Sequence, residues 1–102
     1  GPTGPYLVTK DEIPDINNLN LVLELNGKKM QSGNTKNMIF NTNFLVSYLS
    51  KFMSLQPGDL ITTGTPAGVG MGMKPQVFLK AGDQIRLSID NLGEQNSKVV
   101  PE

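Results

Sequence analysis

The stretch LNLVLELNGKKMQSG, residues 19–33, decides the fold of this chain. Leucine recurs at every second position from 19 to 25, and this period of two is typical of a strand with one apolar face. Asn26 and Gly27 follow at once, and Asn-Gly is the strongest short signal for a two-residue hairpin turn. We therefore predict a β-hairpin whose return strand covers residues 28–33.

Around this hairpin the sequence predicts one helix and several more short strands. Residues 41–53 carry apolar side chains at helical spacing, and Asn41 or Thr42 can cap the start of a helix of about three turns. Further strands are predicted at YLVT (6–9), LITTG (60–64) and QIRLSIDNLG (84–93). The fold class that follows is mainly β with one or two short helices.

Two turns with the same Gly-Asp ending precede the last two of these strands. They are QPGD (56–59) and KAGD (80–83), and glycine in such a position favours a tight turn. Short aspartate side chains commonly bond nearby backbone N–H groups. We expect Asp59 and Asp83 to do this, and so to have a structural role.

Composition excludes several classes of function. The chain has 102 residues, enough for one small domain. Its nine basic and nine acidic residues balance, so neither a nucleic-acid partner nor an anionic membrane is indicated. Cys and His are both absent, which removes disulfides, thiolate metal sites and His-dependent nucleophile systems. No apolar run approaches a membrane span, and the opening GPTGPYLVT is typical of the middle of a longer chain.

The glycine-rich stretch ITTGTPAGVGMGMKP, residues 61–75, is the strongest candidate for chemistry. A phosphate-binding loop of the Walker type needs Gly-Lys-Ser/Thr running into a helix, but here Lys74 follows Met73 and Pro75 comes next. A loop that binds a small anion through backbone N–H groups and threonine hydroxyls fits better. Composition alone nevertheless favours a plain connector between strands.

Two polar clusters stay ambiguous at the level of sequence. The carboxylates of KDEIPD, which are Asp11, Glu12 and Asp15, could ligate Mg²⁺ or Ca²⁺, but a solvated turn is the favoured interpretation. The stretch MQSGNTKNMIF, residues 30–40, could line a polar pocket or could solvate a loop. Its candidates are Gln31, Asn34, Thr35 and Asn37.

Nearly the whole chain resembles the C-terminal half of the fumarylacetoacetate hydrolase family. The segments that carry the resemblance follow the family's order and spacing: GPTGPYLVTKDEIPD (1–15), NGKKMQSGNTKNMIF (26–40), LVSYLSKFMSLQPGDLITTGTPAGVG (45–70) and FLKAGDQIRLSIDNLG (78–93). The resemblance implies that residues 1–102 are the C-terminal portion of one catalytic domain. It also implies the family fold, a mixed β-roll with peripheral helices.

The family comprises metal-dependent hydrolases, lyases and isomerases of 2-oxo acids. The resemblance therefore implies C–C bond hydrolysis, decarboxylation or tautomerisation through an enolate that Mg²⁺ or Mn²⁺ stabilises. It implies a cytoplasmic enzyme of bacterial aromatic catabolism and a homodimer. It gives no reason to expect a nucleic-acid or membrane partner.

The resemblance assigns this chain only part of a site. The family's Gly-Thr-Pro turn contacts the substrate carboxylate, and it matches Gly64, Thr65 and Pro66, while Gln31 matches a position near the pocket. The family's metal ligands and catalytic-site lysine belong to an upstream segment that is not in this sequence. We therefore expect no metal ligand and no catalytic residue here, and an inactive, weakly stable chain when it is alone. The alternative is a non-catalytic remnant of the fold that acts only in association or dimerisation.

Overall fold

The structure is a computed structural model, and it describes residues 1–101. Its centre is a four-stranded antiparallel sheet in the order β2-β1-β3-β4. The strands are β1 (Asn20–Leu25), β2 (Lys28–Asn34), β3 (Gln84–Ile89) and β4 (Gly93–Lys98). Within the described residues there is one α-helix, α1 (Thr42–Leu49), and there are 3₁₀ turns at Lys10–Glu12, Thr35–Asn37 and Gly70–Gly72. The prediction of a mainly β fold with short helices is confirmed.

The predicted hairpin forms at the predicted place. Asn26 and Gly27 both have positive φ, 51° and 77°, as the favoured two-residue hairpin turn requires. Asn26 also joins this turn to β3: its N–H donates to the Gln84 carbonyl at 2.8 Å, and its Oδ1 accepts from the Gln84 N–H at 2.9 Å. Asn26 Nδ2 donates to Asp83 at 2.9 Å. One turn residue therefore fixes where β1 and β3 meet.

The helix begins as predicted but ends early. The side chain of Asn41 accepts a hydrogen bond from the Phe44 N–H at 2.9 Å, so Asn41 is the N-cap. The α-helix ends at Leu49, although the apolar pattern continues to Met53. Residues 50–52 form turns. The backbone N–H groups of Lys51 and Phe52 donate to carbonyls three residues earlier in the chain, as in a 3₁₀ turn, and not four as in an α-helix.

Two predicted strands are wrong. Residues 6–9 and 60–64 are not paired with any strand among the described residues. Tyr6 and Leu7 are 70% and 96% exposed, so their apolar character does not place them in the sheet. Conversely, no strand is predicted at GEQNSK, yet this segment pairs with β3 from Gly93 to Lys98 and forms β4. Its side chains are polar and lack the apolar alternation that identifies a half-buried strand.

The two Gly-Asp turns have the predicted structural role. Asp59 accepts from the Gln56 N–H, and Asp83 accepts from the Lys80 N–H, each at 2.8 Å. The hydrogen bond from the Asn26 side chain, followed by the one from the Lys80 N–H, lowers the pKa of Asp83 below its ordinary value. Asp83 thus links the turn before β3 to the hairpin turn between β1 and β2.

Candidate functional site

The glycine-rich loop lies against β2, and one side chain of β2 joins the two. Gln31 is 9% exposed, and its Nε2 donates to the Thr65 hydroxyl at 2.8 Å and to the Pro66 carbonyl at 2.7 Å. These partners are separated by 34 and 35 positions along the chain. The structure therefore brings Gln31, Thr65 and Pro66 together.

Chemistry determines which way round the Gln31 amide lies. The Pro66 carbonyl oxygen can only accept a hydrogen bond, so the group facing it must be the NH₂ end of the amide. The other N–H of that group is then directed to Thr65 Oγ1. The threonine hydroxyl accepts this bond, and its own hydrogen stays available to another acceptor.

Two glycines allow the loop to lie this close to β2. A Cβ on Gly68 would be 2.1 Å from the Met30 carbonyl oxygen, and Gly68 has a φ of +110°. A Cβ on Gly33 would be 2.9 Å from Pro66 Cβ. No side chain larger than hydrogen fits either contact without displacement of the loop or the strand. Gly33 was not identified from the sequence, although glycine inside a strand often marks the close approach of another backbone.

The loop presents polar groups that the described residues do not use. Gly64 and Thr65 are exposed, and Gly64 has a φ of +89° with no atom within 4 Å of the place of a Cβ. Within residues 1–101, no backbone N–H of residues 61–69 donates a hydrogen bond to a protein acceptor. A hydroxyl donor and several backbone donors thus lie on one exposed segment.

Most of the amide-rich stretch 30–40 has a structural role instead. Asn34 caps the turn after β2 by accepting from the Lys36 N–H at 2.9 Å, and it also donates to Asn18 and Asn20. The Thr35 hydroxyl accepts from the Leu19 N–H at 2.9 Å. Of the candidates in this stretch, Gln31 is the one whose side chain hydrogen-bonds the glycine-rich loop within residues 1–101.

The carboxylates of KDEIPD form a turn. All three are exposed, and Asp15 accepts from the Asn17 N–H at 2.9 Å. A hydrogen bond from the Thr9 side chain lowers the pKa of Asp11 below its ordinary value. Among residues 1–101, no three His, Cys, Asp or Glu side chains gather into a set that could hold a metal ion. The described residues therefore do not fit the metal that the family resemblance implies.

Two clefts lie away from the loop. One, of about 210 Å³, lies between the N-terminal segment and the sheet, where Tyr6, Leu87 and Gln95 contribute to its walls. The other is lined by residues 6–8, Glu12 and Asn91. Neither of these two clefts includes Thr65 or Gln31. As for membranes, a helix with the length and apolar character of a membrane span does not occur among residues 1–101.

Comparison with known proteins identifies the family. The family model described as fumarylacetoacetate hydrolase C-terminal matches residues 1–100. A provisionally named hydrolase from Burkholderia cenocepacia is 62% identical over 96 residues, which are 93% of this chain and 34% of the relative. The chain thus spans about a third of the length of the curated relatives it matches.

Solved structures agree in fold. A fumarylacetoacetate hydrolase from Exiguobacterium antarcticum matches 99% of this chain and 36% of its own, with a TM-score of 0.95 and 42% identity. Maleylpyruvate hydrolase from Sphingobium sp. SYK-6, in complex with manganese (II) ion and pyruvate, matches 95% of this chain and 34% of its own (TM-score 0.86, 37% identity). A 5-carboxymethyl-2-hydroxymuconate delta-isomerase from Mycobacterium smegmatis matches 97% and 36% (TM-score 0.82, 32% identity). The chain belongs to the fumarylacetoacetate hydrolase family and corresponds to its C-terminal part.

Proposed function

We propose that the protein containing this chain is a divalent-metal-dependent hydrolase or isomerase of 2-oxo acids, in which the loop Gly64–Pro66 binds the substrate carboxylate. The observation that carries this proposal is the Gln31 bridge to Thr65 and Pro66, which holds a hydroxyl donor on an exposed loop. On this view residues 1–102 are the C-terminal portion of one catalytic domain.

The loop has the donors that a carboxylate needs. Thr65 accepts from Gln31, so its own O–H can donate outward, and hydrogen bonds to an ionised acceptor are about twice as strong as neutral ones. The backbone N–H groups of residues 61–69 other than Pro66, which have no protein acceptor within residues 1–101, add further donors. Glycine at 64 and 68 lets a ligand approach the backbone closely.

The metal would be held by residues of the longer protein outside this chain, since the described residues have no ligand set. The manganese and pyruvate bound to the Sphingobium relative support a divalent ion and a 2-oxo acid as ligands here, with Mg²⁺ or Mn²⁺ as the candidates. A divalent ion, when bound, stabilises negative charge that develops on the 2-oxo carbonyl oxygen. The role of this chain's own residues is to orient the carboxylate.

The names of the relatives support a class of reaction for this protein and do not select one reaction within it. One relative is a maleylpyruvate hydrolase and another is an isomerase of a hydroxymuconate, so hydrolysis and isomerisation are both candidates, and decarboxylation completes the proposed set. All three require the same thing of this chain, a fixed carboxylate beside the reacting carbonyl.

Replacement of Thr65 by valine tests the proposal. Valine keeps the shape of threonine and removes the hydroxyl. We expect the Kd of pyruvate, measured by calorimetry with Mn²⁺ on the full-length protein, to rise about tenfold to a hundredfold, the cost of losing a hydrogen bond to a charged group. Thr63→Val is the matched control, because Thr63 lies on the same loop and makes no bond with Gln31. An unchanged Kd in Thr65→Val would remove Thr65 from the site.

A non-catalytic role in association has one observation in its favour. Four exposed aromatic side chains form a row along α1 and its flanks with neighbouring ring centroids 4.8–5.9 Å apart, the first three stacked and the last pair tilted: Phe40, Phe44, Tyr48 and Phe52. Such a face suits burial against more protein, including the second copy in the proposed homodimer. Association without Mn²⁺-dependent binding of pyruvate by the full-length protein would favour this second role.

A further inference from the structure

The Gln31 side chain is placed to control how the Thr65 hydroxyl is used. It comes from β2, where it pairs with Leu23 of β1, whereas Thr65 lies on a loop outside the sheet. It is nearly buried, and both N–H bonds of its amide go to the loop. A buried strand residue is a firmer support than the loop itself, because its own rotamer is held by packing.

The contact pattern separates Gln31 from a substrate ligand. Its NH₂ group has two donors, and these are taken up by Thr65 Oγ1 and by the Pro66 carbonyl. No N–H of the Gln31 side chain is left for a substrate carboxylate. Thr65, in contrast, is exposed and keeps its O–H. The two residues therefore have different relations to a ligand.

We infer that Gln31 is a positioning residue: it occupies the acceptor side of the Thr65 hydroxyl and thereby commits that hydroxyl to donate to the substrate carboxylate. This inference rests on the proposed function. It goes further in assigning Gln31 an indirect role and in fixing the direction of the hydrogen bond. The second bond, to the Pro66 carbonyl, holds the loop backbone so that the hydroxyl stays in place.

The alternatives make different predictions. If Gln31 bound substrate directly, loss of its amide would remove an interaction independent of Thr65. If Gln31 acted only in the stability of the fold, its loss would lower the unfolding temperature and the affinity for every ligand alike. Loss of a positioning residue weakens binding of the carboxylate ligand through Thr65 and leaves the affinity for the metal unchanged.

A double-mutant cycle on the full-length protein distinguishes them. The variants are Gln31→Met, Thr65→Val and the two combined; Met is close to Gln in length and has no N–H donor. The readout is the Kd of pyruvate with Mn²⁺, and the controls are the Kd of Mn²⁺ alone and the midpoint of thermal unfolding. We expect Gln31→Met to weaken pyruvate binding about threefold to thirtyfold while the Kd of Mn²⁺ stays within about twofold. In the Thr65→Val background the same change should cost less than about twofold.

Each other outcome has a definite meaning. Suppose that Thr65→Val weakens pyruvate binding. The inference is then overturned, and the proposed function stands, if Gln31→Met leaves the Kd of pyruvate unchanged or if it raises that Kd by the same factor with and without Thr65→Val. If Thr65→Val has no effect, the proposed function fails and takes the inference with it. Should Gln31→Met lower the unfolding midpoint enough to prevent the measurement, Gln31→Asn serves in the same cycle, since it keeps an uncharged amide but is one methylene shorter and so withdraws the NH₂ group from Thr65 and Pro66.

Discussion

Gly68 is a residue at which the glycine-rich loop lies close to β2. Two features require glycine at this position. A Cβ would lie 2.1 Å from the Met30 carbonyl oxygen, and the backbone has a φ of +110°. Gly58 has a similar φ of +98° but no atom within 4 Å of its Cβ position. Comparison of alanine substitutions at Gly68 and Gly58 therefore separates the free-energy cost of a steric clash from that of a positive φ.

We expect Gly68→Ala to destabilise the protein more than Gly58→Ala. Both changes place alanine in a strained backbone region, but only the first forces an atom into the strand. The extra loss in the free energy of unfolding should be about 1–3 kcal/mol, as for other overpacked positions. Urea unfolding of the two full-length variants measures the difference. Equal losses would show that the loop does not lie on β2 as described.

At the scale of elements, Arg86 ties three strands together. From β3 it donates to Glu24 of β1 at 3.2 Å and to Glu94 of β4. The bond to Glu94, followed by that to Glu24, raises the pKa of Arg86. The bond from Arg86, followed by that from Asn96, lowers the pKa of Glu94 below its ordinary value. The outer pairing of β4, a strand with few apolar side chains, is thus supported by charge.

The lowered pKa makes this support depend on pH. A carboxyl whose pKa is lower in the folded state stabilises the fold fully above its unfolded pKa, and the contribution disappears as pH falls through the folded value. We expect Glu94→Gln to lower the thermal unfolding midpoint at pH 7 and to match the unmodified protein in strong acid. The group is exposed, so the effect at pH 7 should be small. Glu12→Gln is the control, because Glu12 makes no ion pair within residues 1–101. A Glu94→Gln deficit that persists unchanged below the folded pKa would contradict the assignment.

Local patterns predict the elements of this fold unequally. The hairpin was predictable because leucine alternation and Asn-Gly act within a few residues of each other. The segment at 6–9 has the same apolar character but no strand beside it, and sequence composition does not say which segments pair. The polar β4 shows the reverse case: pairing with β3 makes it a strand although its side chains do not indicate one.

The candidate site was assigned by likeness to the family, whereas the contact within it was not predictable from the sequence. Gly64, Thr65 and Pro66 were identified by resemblance to a family motif. The bond between Gln31 and Thr65 joins positions 34 apart, and it exists because β2 and the loop come together in three dimensions. Gly33 lets Pro66 pack closely against β2, and the one indication of this in the sequence is a glycine inside a predicted strand.

At the scale of the whole molecule, residues 1–101 bury little apolar surface. Ile13 and Leu19 are the buried apolar side chains among them, and large apolar groups such as Ile39, at 91% exposed, face outward. The radius of gyration is 15.4 Å, whereas a compact domain of this length has about 13 Å. A stable fold requires more burial than this, since ordering each residue costs about 1–2 kcal/mol in backbone entropy.

We therefore expect residues 1–102, produced alone, to be weakly stable and inactive. They should bind the dye ANS, unfold without a sharp transition in urea, and show no Mn²⁺-dependent binding of pyruvate by calorimetry. The full-length protein is the control in all three measurements. A cooperative transition together with pyruvate binding by the isolated chain would contradict this expectation and would place a complete site within these residues.

The central claim is that Thr65 donates to the carboxylate of a 2-oxo acid. A crystal structure of the full-length protein with Mn²⁺ and pyruvate tests it most directly. The account predicts Thr65 Oγ1 at about 2.5–3.0 Å from a pyruvate carboxylate oxygen, with the Gln31 amide still bonded to Thr65 and Pro66. Pyruvate bound with its carboxylate more than about 4 Å from Thr65 Oγ1, or bonded to Gln31 in place of Thr65, would contradict it.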